Sequence, residues 1–347
     1  MSSKDTFEKP VGVVGAGSFG TAVANILASN SNVLLYARSP ETADLIRKTG
    51  QSAGQKLSKT VTPINDLEQL AQQCEVIFPI VPSPFFREMI CKLSPYLKPY
   101  HILIHGTKGI NVLKNDWEVE GIGREDVYTM SRVIQEESLV VRIGCLAGPN
   151  LSKELADGQP AATVVASHFN EVITEGQKLL RSDRFQVYGS KELLGIELCG
   201  VLKNVIAIAA GALEGMGLGE NARSLLVSRG LIEMVYLGNM MGANTQAFLG
   251  LAGLGDLVAT CSSPLSRNYT VGKRFAEGEK LDDIMLSMEE IPEGVNTVKI
   301  LIKLLENVQM RAPITETLNK ILTEELTVAE GLKLLMKSPF SVDIDFM

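Results

Sequence analysis

Lys203 and Asn204 interrupt an otherwise apolar run, Gly195-Ile196-Glu197-Leu198-Cys199-Gly200-Val201-Leu202-Lys203-Asn204-Val205-Ile206. A lysine among apolar neighbours is costly to bury unless it is paired, and burial lowers its pKa. A proton donor and acceptor working near neutral pH needs that property. A lysine that lays its stem along a helix face and keeps its ammonium in water would be spelled the same way. Further on, Gly253-Leu254-Gly255-Asp256-Leu257-Val258-Ala259-Thr260 sets one carboxylate among small and apolar residues. Asp256 either holds and charge-balances Lys203 or caps a helix N-terminus. Ser266-Arg267-Asn268 then offers a hydroxyl, a guanidinium and an amide in succession. Such a set clamps a phosphate dianion, or it is a polar turn after Pro264.

A second kind of chemistry is written near the start. Gly15-Ala16-Gly17-Ser18-Phe19-Gly20 follows the apolar run Val11–Val14 and precedes a segment of helical character, Thr21–Ser29. In a dinucleotide-binding turn the first glycine permits the tight turn, the second lets backbone approach a pyrophosphate, and the third lets the helix pack on the sheet. The helix N-terminus offers free N–H groups and a positive dipole end. The strand-turn-helix context favours this reading over a plain turn. The acid that usually binds the adenosine ribose is missing: the second strand ends Tyr36-Ala37-Arg38-Ser39. Arg38 is either a solvated surface residue or a partner for a 2′-phosphate. NADP(H) is therefore the expected preference, with NAD(H) tolerated.

These residues need elements to carry them. Val11–Val14, Val33–Tyr36, Val76–Val81, His101–His105, Leu139–Ile143, Thr163–Ala166 and Phe185–Tyr188 read as strands. Runs that are apolar on both faces and separated by helix-length segments indicate a largely parallel sheet covered by helices. Lys108, within Gly106-Thr107-Lys108-Gly109, and the segment Gly148-Pro149-Asn150-Leu151-Ser152 both follow such runs. They fall at strand carboxyl ends, where open α/β sheets bind ligands, although Lys108 also fits a flexible turn. From about Leu193 the texture turns helical, over Leu193–Glu214, Ala222–Met241, Val295–Glu306 and one or two helices in Thr315–Met336. The expected fold is α/β: an N-terminal Rossmann-type doubly wound, mostly parallel sheet over 1–190, and a C-terminal all-α domain over 191–347.

Composition bounds the partners. The 347 residues are 45% hydrophobic and 21% charged, as in globular chains. The net charge of −7, with no basic run, argues against a nucleic-acid surface. The cysteines at 74, 91, 145, 199 and 261 form no C-x-x-C pair, and the histidines at 101, 105 and 168 are not ligand-spaced. A disulfide framework or a metal site is not expected, and a reducing cytoplasm is. The polar start, Met1 to Pro10, does not read as a signal peptide. The most apolar stretch, near Val205 to Leu213, is bounded by Lys203, Asn204 and Glu214 and reads as a buried helix rather than a membrane span.

Taken together, the segments resemble the bacterial NAD(P)-dependent sn-glycerol-3-phosphate dehydrogenase family from Gly12 to about Leu335. The carrying stretches are GAGSFGTA at 15–22, VPS at 81–83, TKGI at 107–110 and GPN at 148–150. ELCGVLKNVIAIAAG at 197–211, LGENARSLLVSRGLIEM at 218–234, LAGLGDLVATCSSPLSRNYTVG at 251–272 and PEGVNT at 292–297 complete the set. The first is generic to dinucleotide enzymes; those at 197–211 and 251–272 are specific to this family. The resemblance implies cofactor contacts at Gly15, Gly17, Ser18, Phe19, Gly20, Arg38, Lys108, Ser152, Arg267, Ile291 and Glu293. It implies Lys203 as proton acceptor, Asp256 as substrate-site acid, and Asn204 and Thr260 as helpers. Substrate contacts fall on Lys108, Gly148, Asn150, Lys203, Asp256, Ser266, Arg267 and Asn268. Asn150 stands where relatives often carry Ser or Thr.

The implied reaction is reversible reduction of dihydroxyacetone phosphate to sn-glycerol 3-phosphate, supplying glycerophospholipid synthesis. A homodimer is expected by analogy alone. Two rivals share part of the spelling: another two-domain dehydrogenase, such as a 6-phosphogluconate or 3-hydroxyacid enzyme, and a non-catalytic dinucleotide sensor. A sensor has no use for a buried Lys, an Asp beside it and a phosphate clamp.

Overall fold

The computed structural model describes residues 9–113 and 117–337, so the N-terminal reading up to Glu8 lies outside the described residues. The chain divides into two units, Met1–Thr107 with Met130–Leu193 and Lys108–Thr129 with Leu194–Met347.

The first unit holds an eight-stranded sheet. Its strands are β1 (Val11–Val14), β2 (Val33–Tyr36), β3 (Val61–Ile64), β4 (Val76–Pro79), β5 (Ile102–His105), β6 (Arg142–Ala147), β7 (Ala161–Ser167) and β8 (Phe185–Ser190). The order is β8-β7-β6-β5-β4-β1-β2-β3, with only β6 and β7 antiparallel. The order reverses at β1, the switch point at which doubly wound sheets bind ligands. Val13, Leu35, Phe78 and Ile104 are fully buried beneath flanking helices. Each large side chain withdrawn from water contributes about 1.5–3 kcal/mol.

Three expectations need correction here. The strand expected at Leu139–Ile143 lies later, at Arg142–Ala147. Leu139 and Val141 are apolar but exposed, whereas Cys145, Leu146 and Ala147 are buried. β3 was not anticipated; it carries Pro63 and sits at the sheet edge, where a missing N–H is tolerated. The third correction concerns Lys108–Thr129, which belongs to the second unit, not to a continuous 1–190 domain. There Ile110, Ile122 and Val127 form one apolar cluster with Val201, Ile300 and Leu304, and Asn307 Nδ2 donates to the Ile122 carbonyl (3.1 Å).

Beyond Lys108–Thr129 the described residues of the second unit are helical apart from turns and connections. α1 will denote Ser18–Leu27 of the first unit; α2 is Leu193–Gly215, α3 Glu220–Met240, α4 Asp256–Cys261, α5 Arg267–Ala276, α6 Glu293–Val308, α7 Pro313–Leu322 and α8 Val328–Met336. α2 is 23 residues long and apolar enough by length and composition to cross a membrane, more than the sequence reading allowed. However, 89% of its most apolar window is buried inside the protein, which is the pattern of a core helix.

The crossing of α2 and α5 positions the site. A Cβ on Gly211 would lie 1.9 Å from the Tyr269 carbonyl oxygen, and one on Gly272 would lie 1.8 Å from that of Ile208. The two backbones therefore touch, with glycine on each side. Gly272→Ala should force the helices apart and lower stability by about 1–3 kcal/mol in a urea titration, with kcat falling as Lys203 shifts relative to α5. Unchanged stability would show that the contact is not needed.

Candidate active site

In the second unit four of the expected residues converge. Asp256 is the first residue of α4, after a π-helical turn over Leu251–Gly255, and Gly255 is the residue at the cap position. The N-cap alternative for Asp256 therefore does not apply. Its carboxylate instead lies between two lysines: Lys203 Nζ donates to Oδ1 (2.5 Å) and Lys108 Nζ to Oδ2 (2.8 Å). Lys203 also donates to Thr260 Oγ1 (2.6 Å), and that hydroxyl donates back to the Asp256 carbonyl one turn earlier (2.6 Å). Lys203 and Asp256 are only 5% and 2% exposed, so Lys203 does not snorkel.

Electrostatics follow from this burial. Loss of water lowers the Lys203 pKa to about 8; Asp256 opposes that fall and Lys108 adds to it. For Asp256 burial pushes the carboxyl upward, but Lys108 and Lys203 together outweigh it and hold it below the ordinary aspartate value. The result is an ionised carboxylate steadying an ammonium that gives up its proton near neutral pH.

Ser266, Arg267 and Asn268, the expected phosphate clamp, lie on the same unit. Ser266 caps α5, its oxygen accepting from Tyr269 N (3.3 Å). Asn268 Oδ1 accepts from Gly294 N (2.9 Å) at the start of α6. A Cβ at Gly294 would meet Asn268 Oδ1 at 2.7 Å and the Asn204 carbonyl at 2.8 Å. Lys203 and Asn204 are thereby tied to Asn268 through one glycine. Arg267 is half-exposed; it donates to the Ile291 carbonyl (3.2 Å) and pairs with Glu290 (3.3 Å). Sequence reasoning missed Glu290, for which the adjoining acids Glu289-Glu290 were the only signal. Glu293 opens α6 two residues beyond Ile291.

In the first unit the remaining residues sit at strand carboxyl ends. Gly15 has φ +124°, and a Cβ there would lie 2.0 Å from the Ile80 carbonyl. A Cβ on Gly20 would lie 1.9 Å from the Gly15 carbonyl, so α1 can approach only without one. A Cβ on Gly17 would meet nothing within 4 Å, and α1 begins with no side-chain cap. Open space over an uncapped helix start fits a pyrophosphate. Ser18 and Phe19 form the first turn of α1, with Phe19 beside Gly106 at the end of β5. Arg38 follows β2 and is exposed. Gly148 follows β6 with φ +151°. The Asn150 amide is turned onto β7: Nδ2 donates to the Ala162 carbonyl (3.0 Å) and Oδ1 accepts from Thr163 Oγ1 (2.9 Å). Ser152 opens the short helix Ser152–Ala156.

A dinucleotide-type sheet with its glycine turn, and a buried lysine of lowered pKa, point to an oxidoreductase of the nicotinamide-dependent class. Comparison with known proteins narrows this. Residues 10–173 match the N-terminal part, and residues 192–333 the C-terminal part, of NAD-dependent glycerol-3-phosphate dehydrogenase. The chain is 40% identical over 344 residues to the glycerol-3-phosphate dehydrogenase [NAD(P)+] of Ectopseudomonas mendocina, covering 98% of this chain and 97% of that protein. A crystal structure of glycerol-3-phosphate dehydrogenase from Coxiella burnetii superimposes with a TM-score of 0.86 at 30% identity, covering 96% of this chain and 100% of that one. The Saccharomyces cerevisiae enzyme shares the fold (TM-score 0.81, 23% identity, 95% of this chain and 99% of that one). The chain belongs to the NAD-dependent glycerol-3-phosphate dehydrogenase family.

The depressed Lys203 pKa predicts opposite pH limbs for the two directions. With Lys203 as the expected proton donor and acceptor, reduction would need the ammonium and its kcat should fall as pH rises through about 8, while oxidation would need the neutral amine and its kcat should rise over the same range. Asp256→Asn removes the charge that favours the ammonium and should move both limbs to lower pH. Limbs that stay in place in the variant would separate Asp256 from Lys203.

Proposed function

We propose that this chain reversibly reduces dihydroxyacetone phosphate to sn-glycerol 3-phosphate, using NADP(H) in preference to NAD(H). The observation that carries the reading is the Lys203–Asp256–Lys108 cluster, in which burial lowers the Lys203 pKa to about 8, in a chain of this family. A bound nicotinamide supplies or removes the hydride. The chain's own residues do the rest. Arg267, Ser266 and the free half of the Asn268 amide anchor the substrate phosphate, and that remote binding energy holds the reacting carbon in place. Lys203 gives a proton to the developing alkoxide oxygen and takes it back in the reverse direction. Lys108 adds positive charge toward the polarised carbonyl, and Asp256 orients both lysines. Gly148, Asn150 and Ser152 shape the loop after β6, while Ser18, Phe19, Ile291 and Glu293 serve the cofactor.

The proposal also places the chain in the cytoplasm, as a homodimer, supplying glycerophospholipid synthesis. Its five free thiols suit a reducing compartment.

A substrate panel tests the reading: NADPH absorbance at 340 nm should fall on adding dihydroxyacetone phosphate and not with unphosphorylated ketones. Lys203→Ala should lower kcat about 10²–10⁴-fold with NADPH affinity retained, whereas Arg267→Ala should raise the substrate KM about 10- to 100-fold. Loss of neither effect is compatible with the assigned roles. Cofactor choice has its own test, because Arg38 is the cation at the end of β2. Arg38→Asp should shift the NADPH:NADH ratio of kcat/KM toward NADH by about tenfold or more; a ratio that does not move removes Arg38 from 2′-phosphate recognition.

A further inference from the structure

A short hairpin with no assigned role grips the dinucleotide loop from behind. Its arms, Gln51–Ser52 and Gln55–Lys56, pair antiparallel, with Ser52 opposite Gln55. The linking residues Ala53 (φ +46°) and Gly54 (φ +73°) are both left-handed, as in a two-residue primed turn. Ala53 is strained in that conformation, which persists only where surrounding contacts impose it.

The contacts are specific. The buried Ser52 hydroxyl donates to the Ala16 carbonyl (3.0 Å) and accepts from Thr21 Oγ1 (2.9 Å). Gln55 Nε2 donates to the Ser18 carbonyl (2.8 Å). The intervening Gly17 carbonyl accepts from Thr21 N (2.9 Å). Asn25 of α1 ties down the far end of the hairpin, through the Lys56 carbonyl (3.0 Å) and Ser58 N (2.9 Å). Three successive carbonyls of the loop therefore have donors of the protein's own.

This matters for an anion. A carbonyl oxygen must point at its donor, so the Ala16 and Ser18 oxygens face the hairpin. Ser18 already lies in α1, where its carbonyl points away from the helix start; the Ala16 carbonyl precedes the helix, and free to rotate it would present partial negative charge to a pyrophosphate that needs N–H groups. Gln55 carries a further mark: its Oε1 is buried with no partner. An amide kept with one half unsatisfied needs an explanation, and the bond from its other half to Ser18 provides one.

We propose that Ser52 and Gln55 are positioning residues for the dinucleotide: Ser52 holds the Ala16 carbonyl toward the hairpin and Gln55 pins the first turn of α1 through Ser18, so that the loop and helix start meet the pyrophosphate with N–H groups. The inference rests on the dinucleotide reading of the loop. Asn25 and Thr21 anchor this support to α1.

The test is calorimetric titration of the purified full-length protein with NADPH, without substrate, alongside thermal melts. Gln55→Leu and Ser52→Ala should each raise the NADPH Kd about three- to tenfold. Gln55→Leu also removes the orphaned oxygen, so its Tm should hold or rise while binding weakens, a combination that a purely structural role does not give. Gln55→Glu is isosteric but cannot donate and adds a negative charge; it should weaken NADPH more than Leu does. Ser52→Thr, which keeps the hydroxyl, should retain wild-type affinity. Folded variants with unchanged Kd, or a Glu variant that binds as well as Leu, overturn the proposal. If the wild-type protein binds NADPH and the variants match it, only this inference fails; if the wild type binds no NADPH, the reading of the loop fails with it.

Discussion

Withdrawing the Lys203 ammonium from water is the cost around which the second unit is arranged. A buried ammonium without a partner does not persist; it loses its proton or the fold opens. Asp256 answers it at 2.5 Å, but Asp256 is as deeply buried and needs more than one cation. Lys108 supplies the second, on the other carboxylate oxygen. Removing Asp256 would leave both ammonium groups without their carboxylate, a loss that typically costs about 3–5 kcal/mol. Two ammonium groups against one carboxylate also leave a single positive charge over.

Holding such a cluster requires rigid carriers. α2 is apolar nearly all round, so core packing fixes its rotation, and Gly211 and Gly272 fix its distance from α5. The phosphate triplet is locked by the same economy of parts. Ser266 is a helix cap whose hydroxyl proton remains for a ligand, and Asn268 clasps Gly294 with its oxygen while its Nδ2 remains for a ligand. The contacts that fold α5 onto α6 therefore also fix these polar groups in place.

Much of this was legible in the sequence because it is local. β1 and β2 were read at their observed limits, since short apolar runs bounded by polar residues or a glycine turn have few other solutions. Lys203 and Asp256 stood out because charge is rare in apolar surroundings. What was not legible depends on the third dimension. Leu139 and Val141 look like strand core and are exposed. Ile110, Ile122 and Val127 are apolar like any other core residues, and nothing in their spelling says which unit they join. The Gln51–Lys56 hairpin has two-residue arms, too short for any periodicity to register, and its importance lies in carbonyls far from it in sequence.

Two of the cations given substrate roles in the proposed function are treated in opposite ways, and the contrast suits those proposed tasks. Lys203 has to change protonation state, which requires a low-dielectric setting and a fixed partner to bring its pKa down without abolishing the ammonium. Arg267 has to stay charged and exchange ligands. It is therefore half-exposed, and its partner Glu290 is exposed as well. An ion pair of that kind contributes about 0–1 kcal/mol, so a phosphate dianion with bidentate geometry displaces it readily. Burying Arg267 as deeply as Lys203 would make its hold on Glu290 too strong to exchange, and exposing Lys203 like Arg267 would return it to an ordinary lysine that keeps its proton.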